Sequence, residues 1–354
     1  MQWGRGAAGK SITGEGGPGE LVRKGLAAEG RWLARAVFLG RWLNKHRTVT
    51  ITVERYSHDA AWRDEYSGDP GENRGGMLMV FSYFFSEVIA TIRVVVTGAA
   101  GRMGREMTRG LLQTEDIAVV GAVDRREVGV DIGSLNGLPP AGVIIQEDLA
   151  GVIASARPEV MVDFTVAAAA LANARLAVEQ GVSPVIGTTG ISLERLDELH
   201  QLCEARQVGA VVAPNFSLGA ILMMHFAEEA ARYFPRAEII EIHHDQKIDA
   251  PSGTALKTAE LMAARVNRPL TPSPAEEKVA GARGATYQGL AVHSVRLPGA
   301  VAHQEVIFGG QGQLLTIRHD TTSREAFLPG LLLAIKKVRQ LKGVVYGLEN
   351  LLEF

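Results

Sequence analysis

The chain has 354 residues, enough for two domains with cores of their own. Hydrophobic residues make up 46% and charged residues 21%, as in ordinary globular proteins, and the formal net charge of -2 argues against non-specific nucleic-acid binding. The single cysteine, Cys203, excludes an intrachain disulfide and a cysteine-based zinc site and suits a reducing cytoplasm.

Residues 1–90 differ from the rest. All four tryptophans (Trp3, Trp32, Trp42, Trp62) fall here, and the start is Gly-rich, as in flexible chain. Arg31–Arg47 reads as a basic amphipathic helix of a kind found on membrane surfaces. Met77–Ala90 runs into Ile92–Val96 and together they approach membrane-span length, but Glu87 and Arg93 interrupt the run. No signal-peptide pattern is evident. The expectation for 1–90 is an extension outside the chemistry, disordered or arising from a start codon set upstream.

A dinucleotide-binding unit starts at Ile92. The β-rich run Ile92–Thr97 is followed at once by the loop Gly98, Ala99, Ala100, Gly101, Arg102, Met103, Gly104, and Arg105–Gln113 reads as a helix. The glycines permit a tight turn and close approach of backbone to a pyrophosphate seated on the helix N-terminus. A second buried strand, Ile117–Val123, ends at Asp124, about twenty residues past the loop, where a ribose-binding acid is expected. Arg125 follows; an arginine there meets a 2′-phosphate or is an ordinary exposed side chain. Both residues together suggest use of NADH and NADPH.

The alternation continues. Val143–Ile145, Val160–Phe164, Val185–Gly187 and Ala210–Ala213 read as strands, with Asp148–Ala156, Val166–Gln180 and Leu193–Arg206 as helices. This predicts an α/β fold with a Rossmann-type, doubly wound parallel sheet and ligands beyond the carboxyl ends of its strands. The rim loops are then Phe164-Thr165, Gly187-Thr188-Thr189-Gly190 and Pro214-Asn215-Phe216-Ser217. Thr188, Thr189 and Asn215 offer hydroxyls and an amide to a nicotinamide or ribose, while Ser192 and Ser217 read as N-caps.

After residue 214 the pattern changes. Leu218–Tyr233 reads as a Met-containing core helix, with His225 an ordinary packed histidine. The run Glu238–Ile242 reads as a strand ending in His243-His244. Lys247 follows, and Pro251-Ser252-Gly253-Thr254 opens a helix from Ala255 to Val266. A strand ending in titratable groups, followed closely by a helix N-terminus, suits an anion. Asn267–Gly284 reads as a loop. Leu290–Arg296, Gln304–Phe308 and Gln313–His319 read as strands without helices between them, which predicts an antiparallel or mixed sheet and a second, α+β domain. His293, His303 and His319 show no metal-ligand spacing and no nearby carboxylate pair, so no metal site is expected. Phe327–Leu341 is the final predicted helix. The domain boundaries expected are 1–90, 91–214 (dinucleotide-binding), 215–322 (substrate-binding and oligomerisation) and 323–354 (C-terminal helix and tail).

The glycine loop with Arg102-Met103, the Asp124-Arg125 pair, Gly187-Thr188-Thr189-Gly190, Ala213–Ser217 and above all His243-His244-x-x-Lys247-x-Asp249-Ala250-Pro251-Ser252-Gly253-Thr254 resemble the 4-hydroxy-tetrahydrodipicolinate (dihydrodipicolinate) reductase family. The resemblance runs from about Ile92 to the end. It implies reduction of a cyclic dicarboxylate by NADH or NADPH in the diaminopimelate route to lysine. It also implies a cytoplasmic homotetramer joined through the second domain's sheet, with the C-terminal segment packed on the first domain. Nucleic acid and membrane are not expected partners. His243 is then the general acid, Lys247 a second acid and a positive charge, and His244 a substrate-carboxylate contact. Gly253 and Thr254 hold the other carboxylate. Asp245 and Gln246 stand where some members carry a basic residue. The alternatives are a non-catalytic NAD(P)-responsive binding protein and another Rossmann-type dehydrogenase acting on an amino acid.

Overall fold

The structure, a computed structural model, describes residues 33–39, 49–56, 61–68, 91–266 and 276–354. The chain divides into two compact units, Met1–Thr91 and Ile92–Phe354. In the first, β1 (Leu33–Leu39), β2 (Val49–Tyr56) and β3 (Ala61–Gly68) pair antiparallel in that order. Three strands therefore fall where little structure is expected, and β1 replaces the helix predicted over Arg31–Arg47. The physical reason is local. A short apolar run reads with either period, Gly40 interrupts a helix, and Val49–Tyr56 supplies a β-branched partner in register, Leu33 opposite Tyr56. The Gly-rich start and Met77–Ala90 lie outside the described residues.

The second unit opens with strand and helix in alternation. In chain order come β4 (Ile92–Thr97), α1 (Arg102–Leu112), β5 (Ile117–Val123), the short α2 (Ile132–Leu135), β6 (Ile145–Gln146), α3 (Leu149–Ala156) and β7 (Val160–Asp163). Then follow α4 (Ala167–Glu179), β8 (Ser183–Ile186), α5 (Leu193–Arg206) and β9 (Gly209–Val212). The strands are parallel and mostly apolar, because helices cover both faces, with polar residues such as Thr97 and Asp163 at their carboxyl ends. On one side the sheet packs on Met107 and Leu111 of α1; on the other it packs on Val152 of α3, Ala174 of α4, and Leu199 and Cys203 of α5, all fully or almost fully buried. The sheet order is β9-β8-β7-β4-β5-β6, with a last strand, β15 (Gly343–Tyr346), outside β9, so the winding reverses at β4, and a crevice opens there beyond the strand ends.

Several element boundaries differ from those expected, among them those of α1 and β6. Helix α1 begins at Arg102 rather than Arg105, with Gly101 as its N-cap, so the glycine loop is tighter than its sequence suggests. Strand β6 is shorter than Val143–Ile145 implies, and Ile144 forms only an isolated bridge to Asp131.

The chain then builds a second layer from α6 (Leu218–Ala231), β10 (Arg236–His243), α7 (Gly253–Arg265), β11 (Ala285–Tyr287), β12 (Leu290–Arg296), β13 (Ala302–Gly310) and β14 (Gln313–Thr321). The sheet order is β11-β12-β10-β13-β14. β10 runs parallel to β12 and antiparallel to β13, so the sheet is mixed. Ile239, Val292, Val306 and Phe308 pack from one face against Ala227, Ala231, Ala259 and Met262 of α6 and α7. Each large apolar side chain so buried contributes roughly 1.5–3 kcal/mol. Finally α8 (Leu328–Val338) returns to the first sheet, and β15 (Gly343–Tyr346) joins it parallel to β9. Among the described residues no helix is long and apolar enough to cross a membrane.

Candidate active site

The crevice beyond β4 is built by close backbone approach. Gly98 takes φ +73, and a Cβ there would lie 2.6 Å from the Phe164 carbonyl oxygen. A Cβ on Gly104 would lie 2.0 Å from the Gly98 carbonyl oxygen, so α1 sits directly on the loop. Gly101 caps α1 without a side-chain bond, which leaves the first-turn N–H groups of α1 for an anion. Asp124, at the end of β5, accepts from the Ala100 N–H at 3.0 Å and the Arg126 N–H at 2.9 Å, and so ties the acid to the loop. These features fit a dinucleotide: pyrophosphate on the first-turn amides of α1, ribose at Asp124. Ala99 is buried, Met103 packs partly into the core, and Arg102 is exposed at the rim.

Arg125 is exposed and lies outside the cavity beside the loop, which is lined by Ala100, Arg102, Arg105, Arg109, Arg126 and Arg324. Arg126, missed in the sequence, reaches back over Gly101 and lies 3.6 Å from Asp124. Arg105 and Arg109 are engaged by the Leu135 carbonyl and by Glu106 and Glu325, so Arg102 and Arg126 remain the better placed to meet a phosphate.

The other rim loops converge on Asp163, fully buried at the end of β7. Its carboxylate accepts from Thr97 Oγ1 (2.6 Å), Asn173 Nδ2 (2.9 Å), the Thr165 N–H (3.0 Å), Thr165 Oγ1 (2.7 Å) and Thr188 Oγ1 (3.0 Å). The Thr188 hydroxyl is thus committed inward, against the expectation that it faces a ligand; Thr189 is exposed. Asn215 Oδ1 likewise accepts from the Ser217 N–H at 2.9 Å, which fixes the side-chain amide, whose nitrogen carries the donors. Ser192 and Ser217 cap their helices as expected. Phe164 and Phe216 meet edge to face, centroids 6.2 Å apart, on either side of Gly187. Ala213 is buried behind them and Pro214 is exposed.

The second half of the site lies at the end of β10. His243 closes the strand with 15% of its side chain exposed. Its Nδ1 lies 2.5 Å from Oε2 of Glu241, two residues back on the same strand face and fully buried. His244 is half-buried and starts a turn in which the Lys247 N–H donates to its carbonyl at 3.1 Å. Lys247 Nζ is held by both oxygens of Asp249 at 2.8 Å. Ser252 accepts from the Ala255 N–H at 3.2 Å and caps α7, so the backbone of Gly253 and the side chain of Thr254 stand at a helix N-terminus. Arg296, across the parallel pair at the end of β12, faces His243 in register and grips Glu241 with two bonds of 2.8 Å.

Burial lowers the His243 pKa; the Glu241 carboxylate opposes this, and the charges of Lys247 and Arg296 reinforce it. Burial raises the Glu241 pKa, but hydrogen bonds from Arg296, Ser294 and His243 outweigh it and the net shift is downward. The arrangement offers a proton-exchanging imidazole, an ammonium with an exchangeable carboxylate partner, and a helix N-terminus. That set matches an anionic substrate needing a proton.

Two of the other histidines meet carboxylates unseen in the sequence: His293 lies 2.9 Å from Glu238 and His303 2.7 Å from Asp320. Strand pairing brings these together. Among the described residues no three His, Cys, Asp or Glu side chains gather as a metal site. Glu241 and Arg296 are the functional candidates that sequence reasoning missed. The readable sign was Glu241 two residues before His243, a carboxylate on the inward face of a strand.

The family model described as Dihydrodipicolinate reductase, N-terminus, matches residues 92–216, and that described as Dihydrodipicolinate reductase, C-terminus, matches 219–352. The 4-hydroxy-tetrahydrodipicolinate reductase of Desulfitobacterium hafniense is 54% identical over 265 residues, 74% of this chain and 99% of the relative. That of Geobacillus kaustophilus is 48% identical over 264 residues, 74% of this chain and 100% of the relative. A dipicolinate-bound dihydrodipicolinate reductase structure from Paenisporosarcina sp. TG-14 is similar at 43% identity with a TM-score of 0.67, covering 74% of this chain and 100% of that one.

Proposed function

This chain belongs to the dihydrodipicolinate reductase family, and on that premise we propose that His243 and Lys247 carry the proton chemistry of its reaction. The chain is an oxidoreductase that reduces 4-hydroxy-tetrahydrodipicolinate to tetrahydrodipicolinate with NADH or NADPH, in the diaminopimelate route to lysine. When bound, the nicotinamide supplies the hydride. The chain's own residues bind, orient and protonate. The first-turn amides of α1, Arg102 to Gly104, and the carboxylate of Asp124 hold the dinucleotide across the Gly98–Gly101 loop, with Gly187, Thr188, Thr189 and Ala213–Phe216 at its reacting end. The Gly253 N–H and Thr254 anchor one substrate carboxylate, and His244 contacts the other. Lys247 exchanges its Asp249 partner for substrate, and His243 delivers a proton from Nε2 to the reduced ring.

The observation that carries this reading is the set His243, Lys247 and the N-terminus of α7, all in the stretch between the end of β10 and the start of α7, where Glu241 bonds both His243 and the Ser252 N–H. The dicarboxylate class has support from the dipicolinate bound in the similar structure. We place the protein in the cytoplasm and read it as a homotetramer. The face of the mixed sheet away from α6 and α7 supports the second point. It carries Ile240, Ile242, Val295 and Ile307, all half-buried, on strands whose alternate residues fill the core. Residues 92–354 hold every element of the site, so residues 1–90 are read as dispensable for turnover. The test is NAD(P)H oxidation by purified protein with substrate formed in situ from pyruvate and aspartate semialdehyde. Turnover dependent on both precursors is expected; cofactor binding without turnover would make it a binding protein instead.

A further inference from the structure

A buried carboxylate beside a proton-donating histidine needs an explanation of its own, because burying it is costly unless every lone pair is met. Glu241 is fully buried and meets that condition. Oε2 takes His243 Nδ1 at 2.5 Å and Arg296 Nη1 at 2.8 Å; Oε1 takes Arg296 Nη2 at 2.8 Å and the Ser252 N–H at 3.2 Å. Arg296 in turn donates through Nη2 to the Asp249 carbonyl at 2.7 Å. One carboxylate therefore joins the end of β10, the end of β12, the Lys247–Asp249 loop and the cap of α7.

We propose that Glu241 is the positioning residue of the proton-transfer site, locking His243 with Nδ1–H inward and Nε2 toward the substrate, while Arg296 holds Glu241 in that role. The proposal rests on His243 being the proton donor. The imidazolium gives its Nε2 proton to the ring, and the electron pair of that N–H bond stays on Nε2. The neutral ring left behind keeps its Nδ1–H bonded to Glu241, so no second proton moves and Glu241 stays ionised. Arg296 balances the charge of Glu241, so the pair orients His243 without pinning it in the charged form. The charged groups facing His243 are Glu241 on its own strand, Lys247 in the loop and Arg296 on β12; β13 presents Ala302 opposite it. The same carboxylate, through the Ser252 N–H, keeps the substrate-holding helix terminus in register with the imidazole.

Glu241→Gln separates this role from simple packing. A glutamine has one acceptor oxygen, and Arg296 with the Ser252 N–H claims it. The amide NH2 then faces Nδ1, which must become an acceptor, so the tautomer flips to Nε2–H. NMR of 15N-histidine-labelled full-length protein, with His243 assigned by its loss in His243→Ala, reads the tautomer directly. The expected result is Nδ1–H in the neutral wild-type ring and Nε2–H in Glu241→Gln. Expected kinetics for the variant are kcat lower by about 10- to 100-fold, NADH affinity unchanged, and the alkaline limb of kcat/KM moved to lower pH by about one unit or more. A wild-type ring that is Nε2–H overturns the proposal even if the variant does not fold. So does a folded Glu241→Gln with the wild-type tautomer and pH profile. If His243→Ala keeps wild-type turnover, the donor reading fails and this one with it; if His243→Ala is slow and Glu241→Gln is not, only the positioning role fails.

Discussion

Gly104→Ala tests whether the glycine loop is built for close approach. The added Cβ would sit 2.0 Å from the Gly98 carbonyl oxygen and 2.8 Å from its carbon. Reaching ordinary contact needs a shift of about 1.4 Å between α1 and the loop. The carbonyl cannot easily turn away, since it accepts from the Gly101 N–H at 3.0 Å. Overpacking of this kind costs about 1–3 kcal/mol, which for a unit of this size lowers Tm by roughly 2–12 °C. The shift also moves the amides that meet the pyrophosphate. Losing one charge-assisted bond of about 1.5–3 kcal/mol weakens binding by roughly 10- to 150-fold. The assay pairs thermal melting with NADH titration by fluorescence. Gly253→Ala is the control: a Cβ there meets nothing within 4 Å. It should keep wild-type Tm and NADH affinity. Gly104→Ala with wild-type Tm and NADH affinity would refute the close-approach argument.

Arg126 lines the arginine-rich cavity and Arg125 does not. Arg126→Ala should therefore weaken NADPH more than NADH, with Arg125→Ala nearly silent; the reverse order in paired titrations would return the 2′-phosphate contact to Arg125. Asp124→Ala should weaken NADH more than NADPH, and equal losses would remove it from reading the ribose. Burial, aided by the charges of Lys247 and Arg296, holds the His243 pKa below its ordinary value, and a bound dicarboxylate pushes it back up. Between the two pKa values the free protein lacks a proton that the complex holds, so dipicolinate binding near pH 6.5 should take up protons. Calorimetry in buffers of different ionisation enthalpy measures this, and uptake unchanged in His243→Ala would sink the assignment.

Much of this is legible in the sequence. The strand–loop–helix at Ile92–Leu112, the acid at Asp124 and the apolar strands Val160–Asp163 and Gly209–Val212 carry the first sheet in their local pattern. Leu193–Arg206 and Leu290–Arg296 were delimited by Ser192 as a cap and by β-branched composition. Strand β15 was not legible: Val344-Val345 between Gly343 and Gly347 is too short for a period, and only pairing with Ala210 and Val211 makes it a strand. The inward turn of Thr188 and the grip of Arg296 on Glu241 were hidden for the same reason. Their partners are 25 and 55 residues away, and sequence periodicity reports only neighbours. His243 and Lys247 were legible because one short loop holds them.

The most direct measurement is steady-state kinetics of His243→Ala, Lys247→Ala and the double variant, with NADH titrated separately. The expected result is a fall in kcat of about 100- to 10,000-fold in each single variant. The double should fall by less than the product, and NADH affinity should stay near wild type, because the dinucleotide is held from Gly98 to Asp124. Near-wild-type kcat in either single variant would contradict its role in proton transfer, and a large loss of NADH affinity would move that residue into the cofactor site.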